Sequence, residues 1–366
     1  MLMPTLAGGG YETVRLRLAR HFAARGHDVA VLAMSAEGAL APRFAEAAAL
    51  EDLRAPRARA ALGAVARRLR ADPPDVLLAG MWPATVIAPL AARRAGVPVV
   101  VSEHNTLSRQ YAGWGRAHRA ALRASLALGH RLAQARVAVS AGVAADCARL
   151  ARLPEGAYRV IRNPRPEAPP PDAAAVAAAR AAWPQGDGPR LLAVGSLKRQ
   201  KRHDLLLAAL ARSTAAGARL LVLGEGPLRD ELAARTRDAG LAARVAWPGH
   251  VADPTPHYRA ADLFVLASDY EGMPNVLVEA LAQGAGVVST DCPSGPAEIL
   301  GGGRHGRLVP TGDAAALACA IDDALARPTP PEAARAAVAG LDLPTVGDAW
   351  LDVLAQARRA PSIAAR

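Results

Sequence analysis

Ten short apolar runs, each followed by a stretch with helical spacing, constrain this chain more than any single residue does. In the first half they are VAVLAM (29–34), DVLLAG (75–80), VPVVVS (97–102) and RVAVS (136–140). In the second half they are RLLAVGS (190–196), RLLVLG (219–224), RVAWPG (244–249), DLFVLAS (262–268), GVVSTD (286–291) and RLVP (307–310). Their apolar character is continuous, not alternating, as a parallel sheet covered on both faces requires. ETVRLRLARHFAARG (12–26) is one intervening helix, closed by a glycine. Between the halves, 163–190 breaks the rhythm with Pro and Gly, as a linker does. The pattern predicts an α/β fold of two doubly wound domains facing each other across a cleft. The expected boundaries are 1–165 for the first domain, 166–189 for the linker and 190–344 for the second. A helix over about 345–366 is placed to pack back on the first domain.

Composition narrows the partners. Positive charge reaches +11, but nearly all of it is Arg scattered along helices without aromatic interleaving, which argues against nucleic acid. Attraction to anionic substrates or an anionic membrane surface is the reading that survives. The only lysines, Lys198 and Lys201, share one loop, and a compact ammonium is expected to matter there. Cys147, Cys292 and Cys319 lack metal or redox spacing and suit a structural role in a reducing compartment. No apolar run is long enough for a membrane span and no signal peptide opens the chain, so a cytoplasmic location is expected. The opening MLMPTLAGGG gives a very short first strand, which leaves room for a start upstream.

Ligands of such sheets sit beyond the carboxyl ends of strands. Four loops there are candidates. AGGGYET (7–13) lets backbone approach a phosphate or sugar closely, though a plain tight turn reads as well. VSEHNTLSR (101–109) sets His104 between Glu103 and Asn105, where a histidine satisfied within its loop is the bland alternative. VGSLKRQKRHDLLLAAL (194–210) is a cationic loop at a helix start, suited to a diphosphate leaving group, or simply a solvated basic turn. SDYEGMPNVLVEAL (268–281) places Glu271 in a turn shaped by Gly272 and Pro274, and Glu279 one turn into the following helix. Two carboxylates around a helix N-terminus suit sugar and ribose hydroxyls and phosphates better than they suit an idle surface turn.

The stretch 268–300 resembles the Glu-x7-Glu region of the retaining GT-B glycosyltransferases of family 4. Residues 7–32, 137–150, 159–164 and 223–268 resemble further segments of that family, in order, over nearly the whole chain. The resemblance implies a GT-B pair of Rossmann-like domains. It implies that Glu271 contacts the transferred sugar and that Glu279 holds the nucleotide ribose. Gly272, Met273, Pro274, Asn275 and Val276 would surround the sugar and lead into the phosphate site. Lys201 would neutralise the diphosphate, with Gly9 and Gly10 approaching from the other domain. His104 would sit near the sugar, and the turn from Gly249 through His250 and Val251 would border the base. Where the family commonly has Arg, this chain has Ser196, which removes a bidentate phosphate partner and leaves Arg199 or Arg202 to compensate.

The implied reaction is transfer from a nucleotide diphosphate sugar, UDP-linked by mild preference, with retention at the anomeric carbon. No general base stands out, which fits a front-side reaction in which the departing phosphate takes the acceptor's proton. No Asp-x-Asp motif ends a strand, so no metal and no other cofactor is expected. The acceptor that the resemblance implies is a glycan or a lipid-linked acceptor. The helix-patterned, Arg-rich segment 113–136 reads either as a contact with an anionic membrane or as an ordinary solvated helix. Two rival readings are a nucleotide-sugar epimerase, which needs no acceptor, and a non-catalytic nucleotide-sugar binding protein, to which Ser196 and the short first strand point.

Overall fold

The continuous apolar runs fold as parallel strands. The computed structural model describes residues 1–55, 57–167 and 170–360, and its chain divides into two units. One is Met1–Pro164 with the segment from Leu341 onward; the other is Arg165–Gly340.

The first unit holds β1 (Leu2–Met3), β2 (Ala30–Ala33), β3 (Ala49–Asp52), β4 (Leu77–Gly80), β5 (Val99–Glu103), β6 (Ala135–Ala138) and β7 (Arg159–Val160). They form one sheet in the order β3-β2-β1-β4-β5-β6-β7, paired in parallel throughout. Successive residues serve opposite faces. Leu77 packs with Val65 and Leu69 of the helix Ala58–Ala71, whereas Leu78 packs with Val14, Leu18 and Phe22 of the helix Gly10–Ala24. Val346, Trp350 and Val353 of the helix Leu343–Arg359 complete that second face. Gly347 allows the close crossing, since a Cβ there would lie 2.3 Å from the His21 ring. Asp342 caps this last helix by accepting from the Thr345 amide at 2.8 Å. The expectation of a helix over about 345–366 extends past Ala360 to 361–366, outside the described residues.

The second unit holds β8 (Arg190–Val194), β9 (Arg219–Leu223), β10 (Val245–Gly249), β11 (Leu263–Leu266), β12 (Val287–Thr290) and β13 (Arg307–Val309), in the order β10-β9-β8-β11-β12-β13. In each sheet the order reverses once, between β1 and β4 and between β8 and β11. Loops leaving those strands diverge and open a crevice where ligands bind.

The Pro- and Gly-rich stretch is more than a tether. Asp172 caps a helix, Ala173–Arg180, that packs on Thr255–Ala260, and buried Trp183 donates its indole N–H to the Leu191 carbonyl at 2.8 Å. An alanine-rich helix fits inside the expected linker because the prolines flank it and do not enter it.

Candidate active site

In the second unit the loops leaving β8 and β11 are fastened to each other. The Asp269 amide donates to the Gln200 carbonyl at 2.9 Å, and the Gln200 side-chain amide donates to the Tyr270 carbonyl at 2.8 Å. Arg202, in the left-handed region at φ 47°, closes a single 3₁₀ turn, Arg199–Lys201, and grips both Asp204 and Asp269 at 3.0 Å. This turn aims Lys201 back over Gly195, where a Cβ would lie 3.3 Å from the lysine Cε. Its Nζ donates to Glu271 Oε1 at 2.7 Å, with only 16% and 8% of the two side chains exposed. Buried Ser268 donates to the same oxygen at 2.6 Å. Next to it Cys292 is buried, and burial together with Glu271 pushes its thiol up to about 12, so it stays protonated.

Glycines brace this arrangement from below. The Gly195 and Leu197 amides donate to the Leu223 and Glu225 carbonyls, both at 2.9 Å. So close an approach excludes side chains: a Cβ on Gly224 would lie 2.0 Å from the Gly195 carbonyl oxygen. Beyond β11, the Ser294 hydroxyl holds the Gly272 carbonyl at 2.9 Å, and Gly295, at φ 92°, lets Pro274 pass. The helix Asn275–Ala282 then starts with no acidic residue in its first turn, so its positive end is not neutralised from within. Glu279 on this helix accepts from the Tyr258 hydroxyl at 2.9 Å. Burial and the Glu279 charge hold that phenol well above its ordinary pKa, so it remains a donor.

In the first unit the glycines at the end of β1 open the helix Gly10–Ala24, and Thr5 donates to Glu12 at 3.1 Å beside Gly9. At the end of β5, His104 Nε2 lies 3.2 Å from the Arg15 guanidinium, which also donates to Ser102. A guanidinium only donates. Nε2 therefore accepts, and the ring proton sits on Nδ1, which is buried with no protein partner among the described residues. Burial and the Arg15 charge hold His104 well below its ordinary pKa, so the ring is neutral. Arg15 is itself 1% exposed, stacked over the rings of Tyr11 and Trp350 with its carbon 5.3 and 4.7 Å from their centroids.

Residues 8–166 match the family model described as Glycosyltransferase Family 4, and residues 188–327 match that described as Glycosyl transferases group 1. The chain belongs to this glycosyltransferase family. It is 36% identical over 140 residues to the lipopolysaccharide core biosynthesis glycosyltransferase LpsE of Rhizobium meliloti, covering 38% of this chain and 40% of that one. It is 40% identical over 119 residues to a Campylobacter jejuni N-acetylgalactosaminyltransferase acting on a diphospho-undecaprenol-linked sugar, covering 32% of each chain. The matched part thus spans less than half the length of these curated relatives. In fold it is similar to Anabaena HepE in complex with UDP-glucose, with a TM-score of 0.81 at 20% identity over 97% of this chain and 98% of that one. It is likewise similar to WaaG, a glycosyltransferase of lipopolysaccharide biosynthesis, with a TM-score of 0.75 at 20% identity over 97% of this chain and 99% of that one.

Within the family frame, the residues singled out from sequence fall into three groups. Lys201, Glu271, Gly272, Met273, Pro274, Asn275 and Val276 gather where β8 and β11 diverge. Glu279 is further along the same helix, bonded to Tyr258. The exposed His250 and half-buried Val251 follow β10 two strands away, with a long 3.4 Å contact from the His250 amide to Glu225. Gly9, Gly10 and His104 belong to the first unit. Half-buried Ser196 accepts from the Lys198 amide at 2.8 Å through its carbonyl. Arg202 is committed to Asp204 and Asp269, so of the two arginines offered in place of the absent one, only Arg199 stands outside that network. Sequence reasoning passed over Ser268, Tyr258 and Arg15. The last carried a signal: Tyr11, Arg15, Leu18 and Phe22 share one helical stripe, which places an arginine on a buried face.

Proposed function

We propose that this chain moves a sugar from a nucleotide diphosphate sugar, UDP-linked in preference, to a glycan or lipid-linked acceptor with retention at the anomeric carbon. The observation that carries the reading is the buried Lys201–Glu271 pair at the switch point of the second sheet, beside the positive end of the helix Asn275–Ala282. An ammonium has three donors, so Lys201 can hold Glu271 and meet phosphate oxygens as well. Charge that grows on the leaving diphosphate meets a fixed cation and a helix dipole, with no reorganisation at the moment of reaction. Glu271, anchored by Lys201 and Ser268, offers its carboxylate to the sugar, and Glu279, oriented by Tyr258, offers its own to the ribose. The departing phosphate takes the acceptor proton. The reading needs no metal, and transfer is expected to persist in EDTA.

Relatives named for lipopolysaccharide and undecaprenol-linked sugars support an acceptor in cell-surface glycan synthesis. No helix among the described residues is long and apolar enough to cross a membrane. Thermal shift against UDP, GDP and ADP tests the donor site, because a ligand bound only to the folded chain raises its melting point. A shift with UDP that Glu279→Ala removes is the expected result. An unchanged shift in that variant rejects the ribose assignment. Donor consumed without any acceptor, giving only an epimeric sugar nucleotide, rejects transfer.

A further inference from the structure

Aromatic side chains are scarce here, five Trp, five Tyr and three Phe in all, yet two of the Trp and one Tyr meet at a single place on the first unit. Trp82, Tyr111 and Trp114 have ring centroids 4.3 to 5.7 Å apart, and His118 stacks edge-on to Trp114 at 5.9 Å. Packing in the core does not explain the group, because Trp114 is 37% exposed and residues 112–121 are exposed throughout. Its position is informative. Trp82 follows β4 by two residues, at the point where the first sheet reverses its order. It is carried there by Met81, a non-glycine residue at φ 65°, whose amide is fixed to the Ser102 carbonyl at 3.0 Å. Backbone held in so sparsely populated a region clusters at ligand sites. The Ser102 hydroxyl is in turn bonded to Arg15 and His104, so the backbone that carries Trp82 is tied through Ser102 to the strand end that carries His104. The indole of Trp82 is also fixed, donating to Ser125 at 3.2 Å.

Charge around the group is one-sided. From residue 104 to 145 the chain carries six arginines and not one acidic residue. Two of them, Arg116 and Arg119, are exposed on the helix that starts immediately after Trp114.

We infer that Trp114, backed by Tyr111 and Trp82, is a stacking platform for the acceptor saccharide, and that Arg116 and Arg119 recognise an anionic substituent on it. The inference rests on the transferase reading for the word acceptor, but its physical content is separate. The C–H face of a pyranose is apolar and slightly positive, and it seats on the negative face of an indole. A phosphate or carboxylate on the same glycan then lies against the guanidinium groups.

The full chain labelled with 5-fluorotryptophan tests this by fluorine NMR, with the Trp82 and Trp114 resonances assigned through W82F and W114F. The probes are phosphorylated maltotetraose and an oligogalacturonate, with plain maltotetraose as the neutral control and phosphatidylglycerol vesicles as the membrane control. The two resonances are expected to move with the charged glycans, more weakly with the neutral one, and not with vesicles alone. W114A should weaken charged-glycan binding roughly tenfold or more, W114F should restore most of it, and the paired change R116A/R119A should erase the preference for charge. The UDP-induced thermal shift should be the same in all of these variants. Resonances that move only with vesicles, or with none of the probes, or a W114A chain that binds charged glycan as well as the wild type, overturn the platform. A wild-type chain that shifts with no nucleoside diphosphate overturns the donor reading instead, and the glycan titration still decides the platform.

Discussion

At Lys201 the chain spends one of its two lysines on a carboxylate that water barely reaches. Two charges taken from water repel burial, and their attraction offsets that only when geometry is good and the remaining oxygens are bonded. Ser268 meets this condition by donating to the same Glu271 oxygen. The pair is therefore better understood as a cation fixed in place for a ligand than as a source of stability. Lys201→Ala is expected to lower kcat by roughly a hundredfold or more, the usual cost of one preorganised electrostatic partner, and to lower the melting point because Glu271 is left buried without its cation. Turnover of a nucleotide sugar and a thermal melt check both. A variant with normal kcat removes Lys201 from the reaction. Lys201→Arg should not rescue fully, since a planar fork replaces a compact ammonium packed against Gly195.

Among the elements, the apolar runs were legible from sequence because parallel strands buried on both faces leave no room for polar alternation. β3 and β7 were not anticipated as strands. Each is a short edge strand, and β7, with both residues exposed, carries no apolar signal of its own. The turn around Glu271 was legible because its Gly, Pro and two glutamates are local features of the sequence. What lay hidden was pairing across distance. Nothing in the spacing of Glu279 points to Tyr258, 21 residues away, or in that of His104 to Arg15, 89 residues away. The glycine brace under Lys201 belongs to this hidden class and gives a prediction. Gly224→Ala puts a methyl group 2.0 Å from the Gly195 carbonyl, forcing β8 and β9 apart at their exits. A loss of about 1 to 3 kcal/mol in denaturant melts is expected, together with weaker UDP binding, because Gly195 carries Lys201. Unchanged binding at lowered stability separates the brace from the site.

For the molecule as a whole, two histidines, the buried His203 and the half-buried His104, set an acid limit. Burial, reinforced by Lys201, lowers His203 to about 4, and His104 is lowered by burial and Arg15. Both rings stay neutral in the fold, while the unfolded chain takes up protons near 6.5. Stability is therefore fully present above that value and is lost as pH falls toward 4, with His203 alone contributing about 3 kcal/mol. Melting points should be flat near pH 7 to 8 and fall steadily below 6.5, and His203→Gln should shallow the fall. A melting point that holds or rises down to pH 5 contradicts the neutral rings. A different consequence follows from the helix Leu343–Arg359, which closes the apolar face of a sheet begun at Leu2 and seats Trp350 on Arg15. During synthesis the first unit emerges early, yet the indole that completes its core is made only after the second unit. The nascent sheet must wait with one side only partly covered while the entire second unit is made, and a chain cut short after Gly340 would never finish its beginning.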